Sequence, residues 1–182
     1  MKTQSMIKLL AITGLAVGLG APLTWGAESS RAELRGQLNS KDYKFLSEAS
    51  QGGQMEVQLG ELAKQNGGGQ AVRDFGERMV NDHKKANDEL KQLAASKQAT
   101  PETTITSKED SRMNRLQKLS GVDFDKAYLS DMIKDHKKDL KEFEEASKNA
   151  ADPELRAFAE KTLPTIQQHL QTAQDLYEQL KK

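Results

Sequence analysis

The chain of 182 residues contains three histidines, and each falls where a helical pattern calls for an apolar side chain. His83 lies in the run Val72, Phe75, Met79, His83, Ala86, Leu90, Leu93, whose steps of three and four keep to one face of a helix. His136 occupies the same place in Leu129, Met132, His136, Leu140, Phe143, and His169 in Ile166, His169, Ala173, Leu176, Leu180. A fourth run, Phe45, Ala49, Gly52, Glu56, Leu59, Ala63, carries a carboxylate at the corresponding inward position. A buried imidazole or carboxylate costs several kcal/mol unless it is paired or hydrogen-bonded, so four of them in one core need compensation. One compensation is a single transition-metal ion (Zn, Fe, Mn or Cu) held by Glu56, His83, His136 and His169. The other is a metal-free network of Glu–His hydrogen bonds.

The flanking residues refine this chemistry. Met79 and Met132 each stand one turn before a histidine, where thioethers favour Cu(I), although methionine at helical spacing is ordinarily core filler. Asp82 and Asp135 directly precede histidines and lie about 100° away around the helix, which suits groups that orient ligands or face water better than ligands.

Four long helices must position these groups. The first is predicted from an Asn39 or Ser40 cap to about Gln65, with the Gly52-Gly53 pair marking a break, a bulge or a close approach. Gly67-Gly68-Gly69 ends it, and the second runs from about Gln70 to Ala95, making an antiparallel hairpin. Residues 96–122 are polar, with one short amphipathic piece from about Lys108 to Leu119 and a Ser107/Asp110 pair resembling a capping box. The third long helix is predicted from an Asp123 cap to Asn149. The fourth opens at Asp152-Pro153 and runs to Leu180, kinked near Pro164. Two hairpins joined by a long crossover that contains a short helix form an all-α, ferritin-like four-helix bundle.

Measured from the two hairpin loops, Glu56 and His83, and likewise His136 and His169, are offset along the bundle by only about 5 Å at 1.5 Å per residue. A pseudo-two-fold between hairpins would match Glu56 with His136 and His83 with His169, bringing all four to one level. The words Met79-Val-Asn-Asp-His83-Lys-Lys and Met132-Ile-Lys-Asp-His136-Lys-Lys nearly repeat, yet they fall on helices that this symmetry does not pair.

Residues 1–26 have Lys2 and Lys8, an apolar run and small residues around Trp25, the pattern of a cleaved signal peptide. Residues 27–38 show no periodicity and are expected to be a flexible leader, leaving 39–182 as the bundle domain. The chain has no cysteine, so disulfides are excluded. It has 27 basic and 27 acidic residues; removing Lys2 and Lys8 leaves 25 against 27, a net charge of −2. Charges of both signs are interspersed, which argues against nucleic acid as a partner. The mature chain carries no expected transmembrane span; the sequence names no protein partner. The expected address is exported, with periplasm first and outer-membrane association second.

Several words carry a family resemblance: Gly53-Gln-Met-Glu56-Val-Gln-Leu-Gly60, Phe75-Gly-Glu-Arg-Met-Val-Asn-Asp82-His83, Phe124-Asp-Lys-Ala-Tyr128 ahead of His136, and Leu163-Pro164 ahead of His169-Leu170. In this order over residues 40–178 they resemble domain-of-unknown-function family 4142. The resemblance implies an exported bacterial ferritin-like bundle without an assigned activity. Ferritin-like di-iron proteins use Glu-x-x-His, but the residues three before the histidines here are Val80, Ile133 and Ile166, so a bridged di-iron centre is not expected. No phosphate loop or nucleophile elbow is present. The expected function is a non-enzymatic binding module with a mononuclear metal site. The alternative is a structural or stress-related envelope protein whose buried Glu/His layer holds no metal.

Overall fold

A computed structural model of the chain describes residue 30 and residues 32–182. The predicted signal peptide and Trp25 lie outside the described residues. Five α-helices follow a short helical turn over residues 32–35: α1 (Ser40–Asn66), α2 (Gln70–Ser96), α3 (Ser107–Gln117), α4 (Gly121–Asn149) and α5 (Pro153–Gln179). Among the described residues the only β pairing is an isolated parallel bridge between Gly67 and Gly121.

The caps explain most boundaries. Asn39 accepts from the backbone N–H groups of Lys41 and Asp42, and Asp152 accepts from those of Glu154 and Leu155 ahead of Pro153. The capping box on α3 is Thr106 with Glu109, one residue earlier than the spacing suggested. Helix α4 begins at Gly121, two residues before the expected Asp123 cap; Ser120 occupies the N-cap without a side-chain bond. Gly121 has a φ of +61°, and a Cβ on Gly68 would lie 2.7 Å from its Cα, so two glycines let these loops touch. Helix α1 runs unbroken through Gly52-Gly53, and α5 runs unbroken through Pro164.

Each hairpin, α1 with α2 and α4 with α5, packs along its length, and the hairpins meet through α1 against α4 and α2 against α5. Their ends are fixed by two buried acids. Asp125 at the start of α4 accepts from Gly68 N and Gly69 N, both at 2.9 Å, tying it to the α1–α2 loop. Asp42 at the start of α1 accepts from Ala151 N at 3.1 Å and Asp152 N at 2.8 Å, tying it to the α4–α5 loop. The direction of the chain follows. α1 ascends, α2 descends, the segment carrying α3 climbs back the length of the molecule, α4 descends and α5 ascends.

Two apolar clusters fill the interior, one around Leu59, Phe75, Met79, Phe124, Tyr128 and Met132, the other around Tyr43, Leu46, Leu90, Leu155 and Phe158. Met79 and Met132 belong to the first, as core. The described part of the expected flexible leader is docked: Leu38 is buried, Gln37 N donates to Lys97 O, and Thr100 N donates to Leu34 O. Ionisable side chains, Glu56, His136 and His169 among them, occupy the layer between the clusters.

Candidate functional site

All four inward ionisable residues come together. Glu56 on α1 places Oε2 3.0 Å from His83 Nδ1 on α2 and Oε1 3.4 Å from His136 Nδ1 on α4. His136 Nε2 lies 3.3 Å from His169 Nδ1 on α5. The three imidazole centroids form a triangle with sides of 5.3, 5.4 and 5.7 Å. Glu56, His136 and His169 are buried, and the His83 side chain is 13% exposed.

This convergence also accounts for the repeated sequence word. Because α1 touches α2 and α4, and α5 touches the same two, α2 and α4 occupy opposite corners of the bundle and both descend. An approximate two-fold along the bundle axis therefore relates them, and Met-x-x-Asp-His reaches the core from two facing corners at one level. The same axis sets the Glu56–His83 pair opposite the His169–His136 pair.

The hydrogen bonds fix which ring nitrogens carry protons, since a carbonyl or carboxylate oxygen only accepts. His136 Nδ1 donates to Met132 O at 3.0 Å, which leaves Nε2 bare in the neutral ring. His169 Nε2 donates to Asp82 Oδ2 at 2.8 Å, which leaves Nδ1 bare. His83 Nδ1 donates to Glu56, and its Nε2 is buried with no hydrogen-bond partner. Two bare nitrogens thus face each other at 3.3 Å, lone pair against lone pair, unless a cation or a proton lies between them.

Electrostatics agree with this assignment. Burial works to raise the Glu56 carboxyl, but the charges of His83 and His136 and the His83 hydrogen bond outweigh it and hold it at about 2. Burial opposes the charged form of His83, yet the Glu56 charge and hydrogen bond overcome it and raise this imidazole above its ordinary value. Burial lowers His136, against the pull of Glu56. Burial brings His169 down to about 4, with repulsion from His83 and His136 adding to it and the Asp82 bond opposing. Without a metal, the layer holds an ionised Glu56 that favours the charged form of His83, beside His136 and His169, whose neutral forms burial favours.

One ring nitrogen from each histidine lies within 4.8 Å of the other two. Two nitrogens bound to one metal at roughly 2.0–2.1 Å and the tetrahedral angle stand about 3.3 Å apart, the separation seen between His136 and His169. The three imidazoles fit a cation, and each already has the oxygen partner that metal-binding histidines use to fix their orientation. Glu56, His136 and Asp139 form a second cluster within the same distance. There the nearer His136 nitrogen, Nδ1, is committed to Met132, so only two carboxylates remain as ligands. Burial and the Glu56 charge push the Asp139 carboxyl up to about 9, so it is protonated at neutral pH.

Sequence reasoning placed Asp82 beside the site but could not assign it to His169, because that bond joins α2 to α5 across 87 positions. Asp135 goes elsewhere and pairs with Arg112 on α3. Tyr128, two turns before His136, has a buried hydroxyl with no hydrogen-bond partner, and burial together with the Glu56 charge raises it further. A cavity of about 40 Å³ adjoins His83, His169 and Glu56 and continues between Phe45, Phe143 and Phe158. It has room for a water molecule.

Comparison with known proteins gives one family and a shared fold. The family model for the domain of unknown function DUF4142 matches residues 27–176. A DUF305 fragment from Deinococcus radiodurans superposes with a TM-score of 0.71 at 13% identity, covering 78% of this chain and 98% of its own. A protein from Streptomyces coelicolor described as "putative secreted protein DUF305" superposes with a TM-score of 0.68 at 15% identity, covering 78% of this chain and 92% of its own. Among curated proteins none matches the chain. No helix among the described residues is long and apolar enough to cross a membrane.

Proposed function

The chain belongs to the DUF4142 family, and from its core we propose an exported, ferritin-like helical bundle that binds one transition-metal ion without catalysing a reaction. The ascending, descending, descending, ascending path with a single long crossover supports the ferritin-like description. The secreted description of the Streptomyces neighbour supports export; the periplasm is the address we propose. In this site His83 Nε2, His136 Nε2 and His169 Nδ1 are the nitrogen ligands, and Glu56 supplies the neutralising carboxylate at the metal's edge while orienting His83. Imidazole donors favour Zn, Cu or Fe over Mn.

One observation carries the reading. In its neutral form every imidazole has its N–H bound to an oxygen, which leaves one bare nitrogen per ring, and those of His136 and His169 stand 3.3 Å apart with nothing to donate between them. Glu56 favours a proton on His83 that a metal at Nε2 must displace, so metal uptake weakens as pH falls. The test is the metal content of protein purified without an affinity tag from its native compartment, compared with His83→Ala. One equivalent in the wild type and a trace in the variant support the proposal; equal trace content in both refutes it.

A second reading rests on the 3.0 Å contact between His83 Nδ1 and Glu56 Oε2, which pairs two of the layer's polar atoms with no metal. In that case the layer specifies helix register in a structural or stress-related envelope protein, and chelators leave the melting temperature unchanged.

A further inference from the structure

Two hollows meet at one point on α1. The inner one is the cavity beside the imidazoles, and the outer one is a polar groove of about 350 Å³ between α1, α3 and α4. The residues common to both linings are Gly52, Glu56 and Asp139. A Cβ added to Gly52 would meet nothing within 4 Å, although Gly52 lies inside a helix, where glycine is less stable than alanine. Its neighbour Gly53 differs, because a Cβ there would meet Asn87 Oδ1 and displace that side chain. Packing does not account for Gly52. One turn further on, Glu56 is 4% exposed, and its Oε1 is buried with no hydrogen-bond partner.

We propose that Gly52 is the port through which a divalent transition cation passes from the outer groove to the three imidazoles, with Glu56 Oε1 as the first buried oxygen it meets. The inference rests on the metal site proposed above and adds its route. The absent side chain keeps the passage open, and the unpaired carboxylate oxygen offers an entering cation its first ligand, beyond a groove that Lys108 and Lys134 also line. Arg112 and Arg115 in the groove are neutralised by ion pairs with Asp135 and Asp131, and Lys138 pairs with Glu142. A second approach, past the partly exposed Asp82, is less favourable to cations on two counts. That carboxylate is engaged by His169, and the guanidinium of Arg78 stands 3.5 Å from it.

The test is stopped-flow absorbance of Co(II) loading into the full mature chain, and of its removal by excess chelator, for the wild type, Gly52→Ala and Gly52→Leu. A port acts on both directions, so Gly52→Leu slows loading and release alike by about tenfold or more while affinity and stoichiometry stay unchanged. Gly52→Ala gives an intermediate slowing. Circular dichroism and a melting temperature no lower than wild type establish that the variants fold. Wild-type rates in a folded Gly52→Leu would overturn the port and leave the metal site standing. A wild type that binds no Co(II) would overturn both.

Discussion

Replacing Asp82 with alanine separates orientation of a ligand from ligation itself. Asp82 Oδ2 accepts the Nε2–H of His169 at 2.8 Å, while its own side chain is 37% exposed and bonded to a fully buried ring. A hydrogen bond to a charged group contributes about 1.5–3 kcal/mol, but water can reach this carboxylate, and screening reduces its share to about 1 kcal/mol. For a domain of this size that is a fall in melting temperature of about 2–4 °C in the metal-free protein. The effect on metal should be larger. Without Asp82 the His169 ring can take the other tautomer, which puts its proton on the nitrogen facing His136, and loss of such a partner costs about 10–100-fold in affinity. Asp82→Asn retains an acceptor oxygen and should lose less. Competition of Zn(II) between protein and a chromophoric chelator measures all three affinities. If Asp82→Ala binds as tightly as wild type while His169→Ala binds nothing, the proton assignment is wrong.

Further predictions follow from the buried groups. His169 is held down at about 4 in the folded chain, whereas an unfolded imidazole titrates near its ordinary value of 6.5. The unfolded state therefore binds more protons between these values, and metal-free stability should fall by roughly 3 kcal/mol as pH drops through that window, read as urea midpoints in chelator. His136 acts in the same direction, while raised His83 contributes stability that is lost as pH climbs through its folded value. His169→Phe should flatten the acid limb. Tyr128→Phe removes a buried hydroxyl without a partner, and thermal melting should show no loss and up to about 1 kcal/mol gained. Asp125→Ala removes the acceptor of two loop N–H groups from a residue 1% exposed, and chemical denaturation should show a loss of about 2–4 kcal/mol.

Much of the fold was legible because local signals and the hydrophobic period agreed. Asn39, the triple glycine and Asp152-Pro153 set helix ends within a residue or so of those observed. The Asp123 cap failed because a loop-to-loop contact, Gly121 on Gly67 and Gly68, starts the helix earlier than its best local capping residue. Glu56, His83, His136 and His169 could be found because a polar residue on an apolar stripe stands out in one dimension. The Asp82–His169 bond and the backbone acceptor at Met132 could not, since side-chain direction across neighbouring helices has no periodic signature. The diagonal placement of the two repeat words likewise needed the path of the crossover, which composition alone does not give.

The central claim is that three ring nitrogens, one per histidine, are left bare by their neighbours' hydrogen bonds and converge on one cation. Long-range proton–nitrogen NMR of the imidazoles, recorded before and after one equivalent of Zn(II), tests it most directly. The account predicts that His83 Nε2, His136 Nε2 and His169 Nδ1 shift to metal-bound values while the other nitrogen of each ring keeps its proton. Zinc that leaves all six nitrogens unmoved, or that binds through Nδ1 of His83 or His136, would contradict it.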